Sequence, residues 1–213
     1  MHPHPSLTVR SFAEMLPLPA LEQTKILALQ KYPDEEPARP RVPYYGDAKS
    51  TIRRYFRSCN DQSVVEEALS HLAARDKPTA KARAEHNSRV LDAFLQSPEA
   101  RRQLVVHPFG TRYQRVHGVD LRLTFDLVAD ERGRVKFKYY NFRIDEMDDE
   151  LARTTLELSS HILEQQGVPH RMSDLELYDF ETGKLHRHSR RRKRTIARAK
   201  RHAELVETLW PTI

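Results

Sequence analysis

The sequence holds a single cysteine, Cys59, and six glycines among 213 residues. One cysteine rules out an intrachain disulfide and any zinc or iron-sulfur centre that needs two or more cysteines from one chain. Cys59 itself reads as a half-buried small residue at a helix end. So few glycines leave little room for a glycine-lined phosphate cradle, and the GxGxxG, GKS/T, HExxH and GxSxG signatures are all absent. No apolar run approaches the roughly 18 residues that a membrane helix needs. The opening MHPHPSLTVR lacks the apolar core of a signal peptide, so the cytoplasm is the expected compartment and no membrane partner is expected. No internal repeat is visible.

What the chain does have is charge, unevenly placed. Charged residues make up 31% and apolar residues 38% of the sequence, which describes a folded protein with large solvated faces. The formal charge is +6, yet ten basic residues and no acid lie between Lys184 and Arg201, so the rest of the chain carries −4. A mildly acidic body with one basic stripe points to a localised polyanion contact, with DNA or RNA as the partner and a protein partner as the other possibility.

The pattern along the chain divides it into a proline-rich arm, 1–47, and one α/β domain, 48–213. In the arm one helix is expected from Leu21 to Tyr32. Pro33, Pro37, Pro40 and Pro43 then impose an extended stretch, because proline supplies no helical donor and restricts the residue before it. Within 48–100, Ile52, Tyr55 and Phe56, then Val64, Val65, Ala68, Leu69 and Leu72, then Val90, Leu91, Phe94 and Leu95 mark three helices by their spacing of three and four. Asp61 is the expected N-cap of the second, and Lys77-Pro78 the break before the third.

From 101 to 188 the period shortens to two. Leu104 to His107, Arg112 to Val116, Val119 to Ala129 and Arg134 to Phe142 read as a β-meander, with Asp130-Glu131-Arg132-Gly133 as a hairpin turn. A helix capped by Asp148 or Asp149 and stopped at Gly167 follows, then a strand pair turning at Glu181-Thr182-Gly183. The final helix, 189–213, is expected to start at Ser189 and to dock through Ile196, Ala199, Ala203, Val206 and Trp210. The fold class is α/β of the α+β kind: N-terminal helices packed on a central mixed sheet that is flanked by helices.

The segment FDLVADERGRVKFKYYNF resembles the active-site hairpin of the PD-(D/E)XK nuclease superfamily, in particular its RecB-like exonuclease branch, and the order of elements from Gly118 to Gln166 agrees. The resemblance implies a restriction-endonuclease-like core. It lays Asp126 on the first metal-binding aspartate, Tyr139 on the second acid and Asn141 on the lysine. Two carboxylates hold a magnesium or manganese ion and the lysine positions the attacking water. A neutral phenol and an amide do neither. The helix segment ELARTTLELSSHILEQQG also lacks the glutamine and tyrosine expected there.

The resemblance therefore implies a nucleic-acid-binding pseudoenzyme with no cofactor, a subunit or adaptor in DNA repair, mobile-element or defence assemblies. The expected phosphate contacts are Lys136, Lys138, Arg190, Arg191, Arg194 and Arg198. If the site is instead active, Asp126 binds magnesium or manganese, with Glu146 as a relocated acid and Lys138 as a relocated base; Asp145, Glu157 and Lys136 are further candidates of the same kind. A protein-protein scaffold is the third reading. Tyr139, Tyr140, Phe142 and the pair Tyr44-Tyr45 could stack on unpaired bases. His186 and His188 share one face of a strand, but no third ligand stands at metal-binding spacing.

Overall fold

A computed structural model describes residues 4–32, 44–75 and 77–213. The extended stretch expected at Pro33 to Pro43 lies outside them. The chain opens with β1 (Ser6–Thr8), α1 (Val9–Met15) and α2 (Ala20–Lys31), and continues through α3 (Gly46–Arg57), α4 (Ser63–Ala73) and α5 (Pro78–Gln96). The strands β2 (Val105–Val106), β3 (Arg112–Val116), β4 (Val119–Leu123), β5 (Leu127–Glu131) and β6 (Arg134–Asn141) come next. After them come α6 (Asp149–Gln165), β7 (Leu175–Asp179), β8 (Leu185–Arg187) and α7 (Lys193–Leu209).

Five strands form a mixed sheet in the order β2-β5-β6-β7-β8. β2, β5 and β6 run antiparallel, β6 and β7 run parallel, and β8 returns antiparallel. A parallel neighbour needs a crossover, and α6 supplies it. The α+β class read from the sequence is the one observed.

Local chemistry explains the sharpest features. Arg132 and Gly133 both have positive φ (55° and 76°) between the paired Glu131 and Arg134, which is the two-residue hairpin that matches strand twist. The Asp130 carboxylate accepts the Gly133 amide at 2.8 Å and locks that turn. At the start of α6 the Asp148 side chain accepts the Leu151 amide at 2.8 Å. The helix ends at Gly167 (φ 65°), where the Gly167 amide donates to Glu164 O and the Val168 amide to Leu163 O, a Schellman closure.

The two faces of the sheet bury different things. Val128, Phe137, Tyr139, Leu175 and Leu177 pack with residues of α1, α6 and α7, while Leu127, Ala129, Tyr140 and Tyr178 pack with α3, α4 and α5. Each fully enclosed Leu, Ile or Phe contributes roughly 1.5–3 kcal/mol, so neither helical layer is an accessory. No helix of the described residues is long and apolar enough to cross a membrane.

Four expectations change. The meander is not one sheet: Val119 to Ala129, read as a single strand, breaks at Thr124–Asp126, and β3 and β4 pair with β1 in a separate three-stranded sheet. The described part of the proline-rich arm is structural, since Leu7, Phe12, Met15 and Leu27 are all fully buried. The basic helix starts at Lys193, four residues later than expected, and Cys59 is exposed beside the C-terminus of α3 with a positive φ of 57°.

Candidate nucleic-acid interface

The break between β4 and β5 places Asp126 where the chain passes from one sheet to the other. Arg53 of α3 holds that crossing by donating to the carbonyls of Asp126 (2.6 Å) and Phe125 (3.1 Å). The Asp126 carboxylate is itself fully engaged. One oxygen accepts the backbone amide of Tyr140 at 2.9 Å and the other meets Lys49 Nζ at 2.7 Å. Nearby, Arg10 of α1 donates to Asn141 Oδ1 at 2.9 Å and to the Tyr140 carbonyl at 3.3 Å, and pairs with Glu14 at 3.4 Å.

Magnesium or manganese does not fit these residues. A hard divalent cation needs several oxygens with free lone pairs, and here one carboxylate is satisfied by an amide and an ammonium group with further guanidinium groups around it. Tyr139 is no substitute: its hydroxyl shares a 2.9 Å hydrogen bond with Ser159, and burial pushes its phenol up, so it stays neutral. Asn141 donates to the Asp145 carbonyl (2.9 Å) and to Asp179 Oδ1 (3.1 Å). Glu146 is exposed on the loop before α6, and among the described residues no group of three His, Cys, Asp or Glu side chains could hold a metal ion. His186 Nδ1 faces Asp149 at 3.0 Å, and the buried Nε2 atoms of His186 and His188 have no hydrogen-bond partner there.

Lys136 and Lys138, expected to reach phosphates, point to the other face of the sheet and are buried there. Lys138 has no exposed surface and stands 2.7 Å from both Glu99 and Glu176. Lys136 lies 3.2 Å from Asp174. Arg102 ties the cluster together through Glu131, Glu176 and Glu99, with distances of 2.6 to 3.1 Å. Enclosed and already paired, neither lysine is available to a ligand, and Lys138 is no base for Asp126. Tyr139, Tyr140 and Phe142 are buried too, which removes them as stacking platforms; Tyr44 keeps substantial exposure.

α7 is different. Its inner face, Thr195, Ala199, Ala203 and Val206, is buried, and Glu157 of α6 pins its first turn. Glu157 is fully buried and accepts the Arg192 amide at 3.0 Å, the Arg192 side chain at 3.1 Å, Arg153 at 3.0 Å and the Thr195 hydroxyl. Burial would push its carboxyl up, but these donors outweigh that and hold it below the ordinary range. Glu157, a candidate relocated metal ligand in the sequence, is thus the anchor of the basic helix. Glu157→Gln keeps the shape and removes the charge, and is expected to cost about 2 kcal/mol, a drop of about 4–8 °C in thermal melting. A melting point within a degree of the parent would reject the anchor role.

The stripe divides into paired and free members. Arg191 pairs with Glu164 (2.6 Å), Arg192 with Glu150 (2.8 Å), Lys184 with Asp149 (2.7 Å), and Arg198 donates to the Leu16 carbonyl (3.0 Å). Arg190, Lys193, Arg194, Lys200 and Arg201 are exposed and have no ion pair among the described residues. Of the six expected phosphate contacts, the structure therefore leaves Arg190 and Arg194 unpaired, and Lys193, Lys200 and Arg201 join them. The helical positions of the last three were legible in the sequence; which neighbours carried carboxylates was not.

Set against known proteins, the sequence matches no family model and no curated protein.

Proposed function

We propose that this protein binds nucleic acid without cutting it, through the outer face of α7, on a nuclease-like α+β core whose metal chemistry has been lost. The observation that carries the reading is the group of five exposed cations, Arg190 just before α7 and Lys193, Arg194, Lys200 and Arg201 on it, within a run of ten basic residues outside which the chain sums to −4. From Lys193 to Arg201 the helix rises about 12 Å, the axial length of roughly three to four phosphates of one duplex strand. Contacts of this kind are to phosphates and fix position without reading sequence. The order α5, β2, β5, β6, α6, β7 supports kinship with the PD-(D/E)XK nucleases, and Lys49 on Asp126 supports loss of the metal. A role as a subunit or adaptor in DNA repair, mobile-element or defence assemblies fits a binder of this type.

The test is a filter-binding titration with duplex DNA, single-stranded DNA and RNA over a range of salt. With five phosphates neutralised, log K against log salt should fall with a slope of about −4.5 on duplex DNA and about −3.5 on single strands. No retention of any of the three at low salt would leave a protein-protein scaffold as the better account. In parallel, incubation with manganese should give no cleavage that depends on Asp126. Metal-dependent cleavage that disappears in Asp126→Ala would restore the active nuclease.

A further inference from the structure

A cleft of about 790 Å3 opens between the C-terminal half of α6, residues 167–172 and the first two turns of α7. Its volume is that of a small-molecule site, and its lining is mixed in a specific way. Val168, Pro169 and Ile196 give an apolar wall, while Arg191, Lys193 and Lys200 stand around it with one carboxylate, Glu164, among them. Glu164 pairs with Arg191 at 2.6 Å and so orients that guanidinium at the rim. Three cations against one acid leave the cleft suited to an anion that carries more than one negative charge.

The two imidazoles of the cleft differ. His170 is engaged on both nitrogens: Nδ1 lies 2.8 Å from the Val168 carbonyl and Nε2 2.8 Å from the Ser160 hydroxyl. Since a carbonyl can only accept, Nδ1 carries a proton, and Nε2 shares its bond with the Ser160 hydroxyl. His170 therefore has both nitrogens occupied and fixes the loop after α6. His161, by contrast, has a buried Nδ1 with no hydrogen-bond partner among the described residues, and the nearest acidic oxygen, on Glu164, is 3.9 Å away. A buried polar atom without a partner is costly, and a turn of the half-buried ring toward the cleft would bring it to a ligand oxygen.

We propose that the cleft binds a phosphate monoester carried on a nucleoside, with Arg191, Lys193 and Lys200 around the phosphate, His161 Nδ1 hydrogen-bonded to the ligand, and the base laid against Val168, Pro169 and Ile196. The inference deepens the nucleic-acid reading and rests on it for one point, the source of the ligand: the phosphorylated 5′ end of a strand. A free nucleotide offers the same chemistry.

Calorimetric titration of the full chain with adenosine 5′-monophosphate, adenosine and inorganic phosphate tests the ligand class. The monophosphate should bind at least about tenfold tighter than either fragment, since charged hydrogen bonds and apolar contact are both needed. K193E/K200E should weaken it by about a hundredfold or more, and His161→Ala by about tenfold, with melting curves that show the variants folded. Monophosphate binding no tighter than adenosine, or unchanged in K193E/K200E, overturns the proposal. A 5′-phosphorylated oligonucleotide that binds better than its 5′-hydroxyl twin supports the strand end as the source; equal binding, with the monophosphate still held, supports the free nucleotide. In R190E/R194E/R201E, which lie outside the cleft lining, the monophosphate should bind as in the parent even where oligonucleotide retention is lost. Monophosphate binding without any oligonucleotide retention in the parent would keep the cleft and remove the wider reading.

Discussion

Lys138→Met is expected to lower the melting temperature on the order of 10 °C, by removing one partner of a buried charge cluster at a cost of about 3–5 kcal/mol. Lys138 Nζ has no exposed surface and lies 2.7 Å from Glu99 and 2.7 Å from Glu176. Around it Arg102, Lys136 and Arg134 face Glu131 and Asp174, so four cations meet four carboxylates, with the largely exposed Arg187 at 4.0 Å from Glu176 on the solvent side. Methionine fills the space of the lysine stem but leaves the carboxylates in excess where water cannot screen them. Lys138→Met with Glu99→Gln restores the balance, and the glutamine can still accept the Tyr140 hydroxyl that now bonds Glu99 at 3.0 Å. At least half of the lost stability should return in that double variant. A single variant that melts within about 1 kcal/mol of the parent would mean that the cluster is solvated in solution.

The same cluster sets an acid limit. Burial pushes the Glu176 carboxyl up, but Lys138 and Arg102 outweigh it and hold the group at about 2, against an ordinary 4.5. The folded protein therefore binds fewer protons than the unfolded chain between those values. The stabilisation is complete above about pH 4.5 and is lost as pH falls toward 2, an amount on the order of 3 kcal/mol. Chemical denaturation at pH 5, 4 and 3 should show that fall in the parent and a shallower one in Lys138→Met.

The cluster leaves no local mark in the sequence. In RVKFKYYN the lysines alternate with Phe137 and Tyr139, and alternation on a strand normally means one dry face and one wet face. Here α3, α4 and α5 cover the face expected to be wet, so its charges had to be paired, and their partners Glu99, Asp174 and Glu176 lie about 40 residues away in sequence. Local signals fared better. The Arg132-Gly133 turn, the Asp148 cap, the Gly167 stop and the apolar face of α7 each depend on residues a few positions apart, and each stands where its pattern places it. Pairing between distant segments carries no such mark. Nothing in SLT or in VDLRL says that β1 joins β4 in parallel, or that β3 and β4 stand apart from the larger sheet. Asp126 shows both sides: its place at the head of the hairpin was legible, while Lys49 and Arg10, which fill its surroundings, come from helices 77 and 116 positions upstream.

The triple reversal R190E/R194E/R201E is expected to weaken oligonucleotide binding by about two orders of magnitude or more at 0.15 M salt. Each neutralised phosphate scales affinity by salt to the power of about −0.9, which is roughly a fivefold gain per contact at that concentration, so three lost contacts remove somewhat over a hundredfold before any repulsion is added. Repulsion by the three new carboxylates can only enlarge the loss. The salt slope should fall by about three units in step, because the same contacts set both quantities. Net charge alone would predict a weaker and nonlocal effect, and R57E/R122E/R132E separates the two explanations. Those arginines are also exposed, and reversing them changes the total charge by the same amount on other parts of the surface. If contact on α7 governs binding, that control should keep affinity within about fivefold of the parent, the residual loss coming from long-range attraction that salt largely screens. Equal losses in the two triple variants would mean that the stripe is one part of a diffuse field and that α7 has no special place in it.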